Sequence, residues 1–492
     1  MNAAGYLLAA GAPAAIALEC GEERLSYAAL RDAVARAAGA WRARGLAPGE
    51  RVLVFAPDGI TWAIAYLGAI WAGGVAVGLN SRLFEHELSV VLNESGARFI
   101  WCNESSRALL ERLLAGVENA PRLVIGAEWS NSLWAQNPVP AADLPDDAPA
   151  MWIYTSGTTG VPKAVMHAQR SFIASADFAL EVLRLGAQDR IYASSKMFFA
   201  YALGNSLCAG LRLGATVVLD PEWPTAERVA EMVERHRPTT LFSVPTLYLK
   251  MLQSGVAARC AAAGVRHYVS AGETLPPAVR RGWQEATGVA PVSGYGASET
   301  VALVFYCNDE SMTLTPAPRL EYCVRASDGA EDGAPRRLWL RHPSIALGYW
   351  RRPEAERDSF SDGRFSPGDL FRQRDDGKVE FCGRDDDMLK ISGQWVSILQ
   401  VEQALLGAGA GSVDSVAAVG FDNDEGLSSI ALFVVAAQGQ ESQARERIAA
   451  GIEALPKLKR PRFVKWVSEL PLTATGKLQR RKLKQQYLGS AA

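Results

Sequence analysis

Short apolar runs rich in β-branched residues alternate with longer amphipathic stretches along most of the chain. "RVLVFA", "RFIWC", "RLVIG", "MWIYT", "ATVVLD", "TTLFSVP" and "RHYVSAG" are apolar almost throughout, the pattern of parallel strands covered on both faces. Between several of them lie helical patterns such as "TAERVAEMVERHRP" and "LPPAVRRGWQEATG". This alternation predicts α/β architecture, in which ligands gather at the carboxyl ends of strands. After about Leu338 the pattern shifts to short strands with tight turns, as in "DDGKVEFCGRDD". An α+β region follows, with "SVAAVGF", "SIALFVVA", the helix "ESQARERIAAGIEAL" and "RFVKWV". The expected organisation is a large N-terminal domain of α/β sheets with a smaller β-rich subdomain over residues 1–384. A small α+β domain over 385–492 follows, the boundary falling at Asp385-Asp386-Asp387.

Some segments need a second reading. From Gly59 to Ser81 no residue is charged, which meets the length of a membrane span. Gly73-Gly74 divides it, so "ITWAIAYLGAIWA" is expected to be a buried helix and "VAVGL" a short strand. The N-terminal "GYLLAAGAPAAIA" lacks the basic flank of a signal peptide and is broken at Gly11 and Pro13. Residues 128–150, rich in Pro, Ala and Asp, read as a loop feeding "MWIYT". A net charge of −2, with 49% apolar and 21% charged residues, offers nothing for nucleic acid or an anionic membrane. The seven cysteines are scattered and never form C-x-x-C. They fit reduced thiols in a cytoplasmic protein, and neither a disulfide framework nor a zinc site.

The chemistry concentrates in "YTSGTTGVPK", Tyr154 to Lys163, which follows the strand "MWIY" and is expected to lead into a helix from about His167. Gly157 and Gly160 free backbone N–H groups to approach an anion. Thr155, Ser156, Thr158 and Thr159 add hydroxyls, and Lys163 adds a positive charge. The spacing is not that of a P-loop kinase or GTPase, because Pro162 stands where the second glycine belongs and Ala164 follows the lysine. In isolation a loop of this composition is equally a solvated surface segment.

Three further stretches decide its meaning: "GYGASET" at 294–300, "SPGDLFRQRDDGKVEFCGRDDDMLKISG" at 366–393 and "LPLTATGKLQRRKL" at 470–483. In this order, the four motifs resemble those of the adenylate-forming superfamily, which contains acyl-CoA synthetases, adenylation domains and luciferases. The resemblance runs through essentially the whole chain. It implies that a carboxylate attacks the α-phosphorus of ATP to give an acyl-adenylate and pyrophosphate, after which a thiol displaces AMP. The loop would hold the ATP phosphates. Glu299 resembles the acid that anchors Mg²⁺, and Ser298 keeps the hydroxyl of the threonine common at its position. Lys477, which alone reads as one more solvated charge, matches the lysine that reaches the carboxylate and α-phosphate. Asp369 would bind the ribose with Arg384 beside it. Gly272, Glu273 and Thr274 resemble the loop beside adenine, and Tyr295 and Gly296 lie where the base stacks. Asp386 matches the hinge about which a mobile C-terminal domain rotates between half-reactions.

"KMFFAYALGN" at 196–205 further resembles the acid-pocket segment of the benzoate-CoA ligase group. Phe199, Ala200, Tyr201 and Gly204, with Ala271, Gly296, Ala302 and Leu303, would then line a flat apolar slot for an aromatic ring. No acidic residue lies between Asp189 and Asp220 to pair an α-ammonium, which argues against an amino acid. Benzoate ligases typically carry His a few residues after the metal-anchoring Glu, where this chain has Ala302 and Leu303. The smaller wall leaves room for a ring substituent, so aminobenzoate, hydroxybenzoate or an alicyclic acid remain open. Arg82, Arg460 and Gly393 match positions that contact coenzyme A. Two aromatic positions used for its adenine are replaced, at Glu425 and Leu458. Coenzyme A is the expected acceptor, with the phosphopantetheine arm of a carrier protein as the alternative.

Overall fold

The computed structural model describes residues 1–156, 162–309, 313–325, 335–384, 388–391, 394–409, 411–422, 428–472 and 478–488. The chain forms two compact units. The larger comprises Met1–Ser311, Thr315–Glu321 and Leu340–Phe365, and the smaller Met312–Leu314, Tyr322–Trp339 and Ser366–Ala492.

The larger unit is built on two sheets. In the first, parallel strands run in the order Ile16–Cys20, Thr216–Leu219, Arg190–Ala193, Thr240–Ser243, His267–Ser270 and Val292–Tyr295. Antiparallel neighbours follow at either side, Glu23–Ser26 and Phe305–Cys307. In the second, Pro149–Ser156, Val75–Gly78, Arg51–Phe55, Phe99–Cys102 and Arg122–Ile125 are parallel, and Pro162–Ala168 and Gly348–Tyr349 add antiparallel strands. The seven apolar runs named above all form strands, and both amphipathic patterns form helices, Ala226–His236 and Pro277–Thr287.

The uncharged segment becomes the helix Ile60–Trp71, almost wholly buried, followed by the strand Val75–Gly78. Its apolar residues pack all round because another helix, Tyr27–Ala43, lies against it. A Cβ at Gly68 would sit 2.5 Å from that of Ala37, so the glycine permits the approach. Among the described residues no helix is long and apolar enough to cross a membrane. All seven cysteines are free.

One expectation is corrected and one is completed. Residues 128–150 are not loop throughout, since Gly126–Leu133 is helical and buries Trp129 and Leu133. The helix expected from about His167 begins at Gln169, but a strand that the sequence did not suggest precedes it. Residues 162–168 form a strand antiparallel to Pro149–Ser156, with Ser156 opposite Pro162, and the helix Gln169–Ala174 begins only afterwards. Alternation in "PKAVMHA" is read by a sheet, with Lys163, Val165 and His167 on one face.

In the smaller unit Asp369–Gln373 pairs antiparallel with Val379–Arg384. Val413–Asp422 pairs antiparallel with Ser428–Ala436, which runs parallel to Phe463–Trp466 through the helix Glu441–Ala454. The antiparallel pair Met388–Ile391 and Gln394–Ser397 and the helices Ile398–Ala408 and Arg480–Leu488 also belong to it. The strands Asp369–Gln373 and Val379–Arg384 pack with this unit although they precede residue 385.

Candidate active site

Four neighbouring parallel strands of the first sheet, Arg190–Ala193, Thr240–Ser243, His267–Ser270 and Val292–Tyr295, end on one side of the larger unit. The segments beyond their carboxyl ends carry most of the expected site: Lys196 to Gly204, Ala271 to Thr274, and Gly296 to Leu303. This is the edge of a parallel sheet where side chains from separate strands converge.

Tyr201 is tied across these strand ends. Its hydroxyl lies 2.9 Å from the Val269 carbonyl oxygen and 3.2 Å from that of Ser243, and burial raises its phenol well above the ordinary range. Phe199 is half-buried, with its ring centroid 4.3 Å from that of Phe198. The chain then winds through a π-helical turn, Leu203–Cys208, a form common at functional sites. A Cβ at Gly204 would lie 2.0 Å from the Val301 carbonyl oxygen, so this turn rests directly on the backbone that follows Glu299.

That backbone is strained. Val301, a β-branched residue, has φ +50°, and Ala302 N–H donates to the Thr300 carbonyl at 2.5 Å, closing a γ-turn. The buried Thr300 hydroxyl holds it, accepting from Ala297 N–H at 2.9 Å and donating to the Ala302 carbonyl at 2.9 Å. Gly296 is required beside it, because a Cβ there would meet the Ala302 oxygen at 2.6 Å. Leu303 turns its methyls onto Gly294 and joins the main core.

Glu299 is half-buried and held from three sides. Its carbonyl accepts from Ala346 N–H at 2.8 Å, its Oε1 accepts from the Tyr349 hydroxyl at 2.7 Å, and the preceding Ser298 carbonyl accepts from His167 Nε2 at 2.8 Å. A carbonyl only accepts, so His167 carries its proton on Nε2. Burial pushes the ring's pKa down to about 4, so it stays neutral. Lys163, on the same strand face as His167, places Nζ 4.8 Å from the centroid of the Tyr349 ring. Among the described residues neither the Lys163 ammonium nor the Glu299 carboxylate has an ion-pair partner. A half-buried cation and anion that do not neutralise each other are what a polyphosphate with a hard divalent cation requires.

An AMP-binding enzyme model matches residues 8–350, and an AMP-binding enzyme C-terminal domain model matches residues 400–477. The chain belongs to the AMP-binding enzyme family. The curated 3-hydroxybenzoate–CoA ligase of Aromatoleum sp. (strain CIB) is 37% identical, covering 99% of this chain and 97% of that protein. Among solved structures, the anthranilate CoA ligase AuaEII in complex with anthranoyl-AMP superposes with TM-score 0.89 at 26% identity, covering 100% of this chain and 98% of that one. The benzoate CoA ligase from Burkholderia xenovorans LB400 gives TM-score 0.85 at 31% identity, over 98% and 99% of the two chains. This AMP-binding enzyme is thus an adenylate-forming, AMP-forming acid–thiol ligase of the benzoate-CoA ligase type.

Other expected residues take definite places. Thr155 stands opposite Lys163 in the hairpin. Gly272 has φ +91°, Glu273 accepts from the Thr246 hydroxyl at 2.9 Å, and Thr274 is half-buried beside them. Tyr295 meets Phe305 edge to face at 6.1 Å. In the smaller unit Asp369 and Arg384 lie opposite one another on paired strands. Arg82 is exposed and stacks over Trp223, 4.3 Å from its centroid. The Arg460 guanidinium is engaged by the Glu453 carboxylate at 2.7 Å and the Leu455 carbonyl at 3.0 Å. Gly157, Thr158, Thr159, Gly160, Asp386, Gly393, Glu425 and Lys477 lie outside the described residues, as does the Ser156 side chain.

Sequence reasoning missed Tyr349, His167 and Trp223, which bear on these groups only through the fold. It also missed Asp58, 5% exposed, whose carboxylate accepts from Met197 N–H at 3.1 and 3.2 Å. Asp58 thereby braces the start of the segment expected to border the acid. Its only advance signal was an acid inside an otherwise apolar stretch.

Proposed function

We propose that this enzyme activates a benzoate-like acid bearing a ring substituent, and transfers the aroyl group to coenzyme A. One observation carries the reading: Glu299 shares Tyr349 with Lys163, and the Val301 carbonyl two residues beyond Glu299 lies against Gly204, in the segment expected to border the ring. Charge for a nucleotide and apolar surface for a ring are offered side by side. A hydroxybenzoate is the first candidate, by likeness to the Aromatoleum ligase and because Ala302 is small.

In the first half-reaction a carboxylate oxygen of the acid forms a bond to the α-phosphorus of ATP, and the bond to pyrophosphate breaks. The reactants are both anions, so alignment and neutralisation govern the barrier. Lys163 and residues 155–160 would hold the phosphates, and Asp369 with Arg384 the ribose. Lys477 would reach the reacting oxygens. Glu299 would hold Mg²⁺, which supplies charge neutralisation at the phosphate oxygens when bound. Its half-buried carboxylate, without an ion-pair partner among the described residues, suits a hard cation that would take its remaining ligands from phosphates and water.

In the second half-reaction the sulfur of coenzyme A attacks the aroyl carbon and AMP leaves with the anhydride oxygen. Arg82 and Arg460 would meet the coenzyme A phosphates, Arg460 by exchanging Glu453 for a phosphate, and Gly393 would border the pantetheine path. Rotation about Asp386, with the division at 384/385, would bring the second set of groups to the adenylate. The test is incubation with ATP, Mg²⁺, a panel of benzoates and either free coenzyme A or a phosphopantetheinylated carrier protein. Aroyl-CoA with AMP is expected. Thioester on the carrier alone would overturn the choice of acceptor.

A further inference from the structure

We infer that Tyr349 is a positioning residue that couples the phosphate-binding lysine to the metal-anchoring carboxylate. The inference rests on the roles of Lys163 and Glu299 given above. Tyr349 is 4% exposed, and its place is fixed from several directions. Its backbone pairs opposite Val165, its N–H donates to Glu356 Oε2 at 3.3 Å, and its ring meets Phe360 edge to face at 5.4 Å. From that fixed side chain contacts run to both charged groups. The hydroxyl donates to Glu299 Oε1 at 2.7 Å, and the ring face receives the Lys163 ammonium at 4.8 Å.

One phenol therefore restrains both charges without cancelling either. An acidic partner for Lys163 would compete with phosphate, and a basic partner for Glu299 would compete with the metal. A ring face attracts a cation while leaving its N–H donors available. A phenol hydroxyl occupies one carboxylate oxygen and leaves the other to a ligand. Tyr349 also reports strand position, because Val165 opposite it lies midway between Lys163 and His167 on their shared face. His167 holds the Ser298 carbonyl next to Glu299. The antiparallel pair thus sets the lysine and the carboxylate in one register.

Tyr349→Phe keeps the ring and removes the hydroxyl. Loss of one hydrogen bond to a charged group should raise the Mg²⁺ concentration for half-maximal rate by about tenfold or more. The KM for the aromatic acid should move by less than about twofold, since the slot is untouched. Binding of Mn²⁺·ATP, followed by the spin-resonance signal of free Mn²⁺, should weaken by a similar factor without any turnover. Tyr349→Leu should add a rise in the KM for ATP, because Lys163 loses its support as well. Glu299→Gln provides the reference, and Tyr349→Phe should add little to its defect. If Glu299→Gln loses Mn²⁺·ATP affinity while Tyr349→Phe matches the wild type, the inference is overturned and the functional reading stands. If Tyr349→Phe weakens binding equally with and without the Glu299 carboxylate, the coupling is also overturned. Unchanged Mn²⁺·ATP binding in Glu299→Gln would instead reject the metal role of Glu299 itself.

Discussion

Asp58 gives the larger unit a pH dependence of unusual sign. Burial, opposed by the nearby Lys196 charge and the Met197 N–H, pushes its carboxyl from the ordinary value near 3.8 up to about 7. Between those values the folded chain keeps a proton that the unfolded chain releases. Stability therefore falls as pH rises through this window and levels off above about 7. At about 1.4 kcal/mol per pH unit, the span from pH 5 to 7 corresponds to about 2–3 kcal/mol. His167 acts in the opposite sense. Its folded value of about 4 means that stability is lost as pH falls from about 6.5 towards 4. In the wild type the two contributions largely cancel over that range. Asp58→Asn keeps an acceptor for Met197 N–H and removes the titration, so the His167 loss should emerge. Urea unfolding of both proteins from pH 5 to 8 should show the variant losing stability relative to wild type on acidification, by about 2–3 kcal/mol at pH 5 compared with pH 7. Parallel curves would refute the buried, protonated Asp58.

Gly204→Ala should drive a methyl into the Val301 carbonyl, an overpacking that costs about 1–3 kcal/mol, and raise the KM for the acid more than that for ATP. Steady-state kinetics with each substrate varied in turn checks this, and equal changes would argue against the Gly204–Val301 contact shaping the slot. Ala302→Leu should shift preference from substituted towards unsubstituted or smaller acids by roughly 10–200-fold in kcat/KM, and a panel of benzoates would show no change if Ala302 did not border the ring. Lys477→Ala should lower adenylate formation by roughly 10²–10³ while sparing thioester formation from supplied aroyl-adenylate, and equal losses would reject that division of roles.

The fold was legible where periodicity is strong. Buried parallel strands leave continuous apolar runs, and amphipathic helices between them mark covered sheets. The pairing of Pro162–Ala168 with Pro149–Ser156 was not, because "PKAVMHA" is short and its alternation is too brief to separate a strand from the start of a helix. Glu299 and Lys163 were singled out through motifs whose order carries information, and the fold brings both to the side chain of Tyr349. Tyr349, His167 and Asp58 were not, because each acts on a neighbour brought close only by the sheets. The strain at Val301 has no sequence signature either, since a valine in a tight turn reads as core.

The central claim is tested most directly by product analysis with the intact enzyme, ATP, Mg²⁺, coenzyme A and, in parallel, benzoate, 3-hydroxybenzoate, 4-hydroxybenzoate and 2-aminobenzoate. Aroyl-CoA, AMP and pyrophosphate should form in equal amounts, with a substituted acid preferred over benzoate in kcat/KM. ADP with inorganic phosphate as products, or AMP formation with fatty acids and none with any aromatic acid, would contradict it.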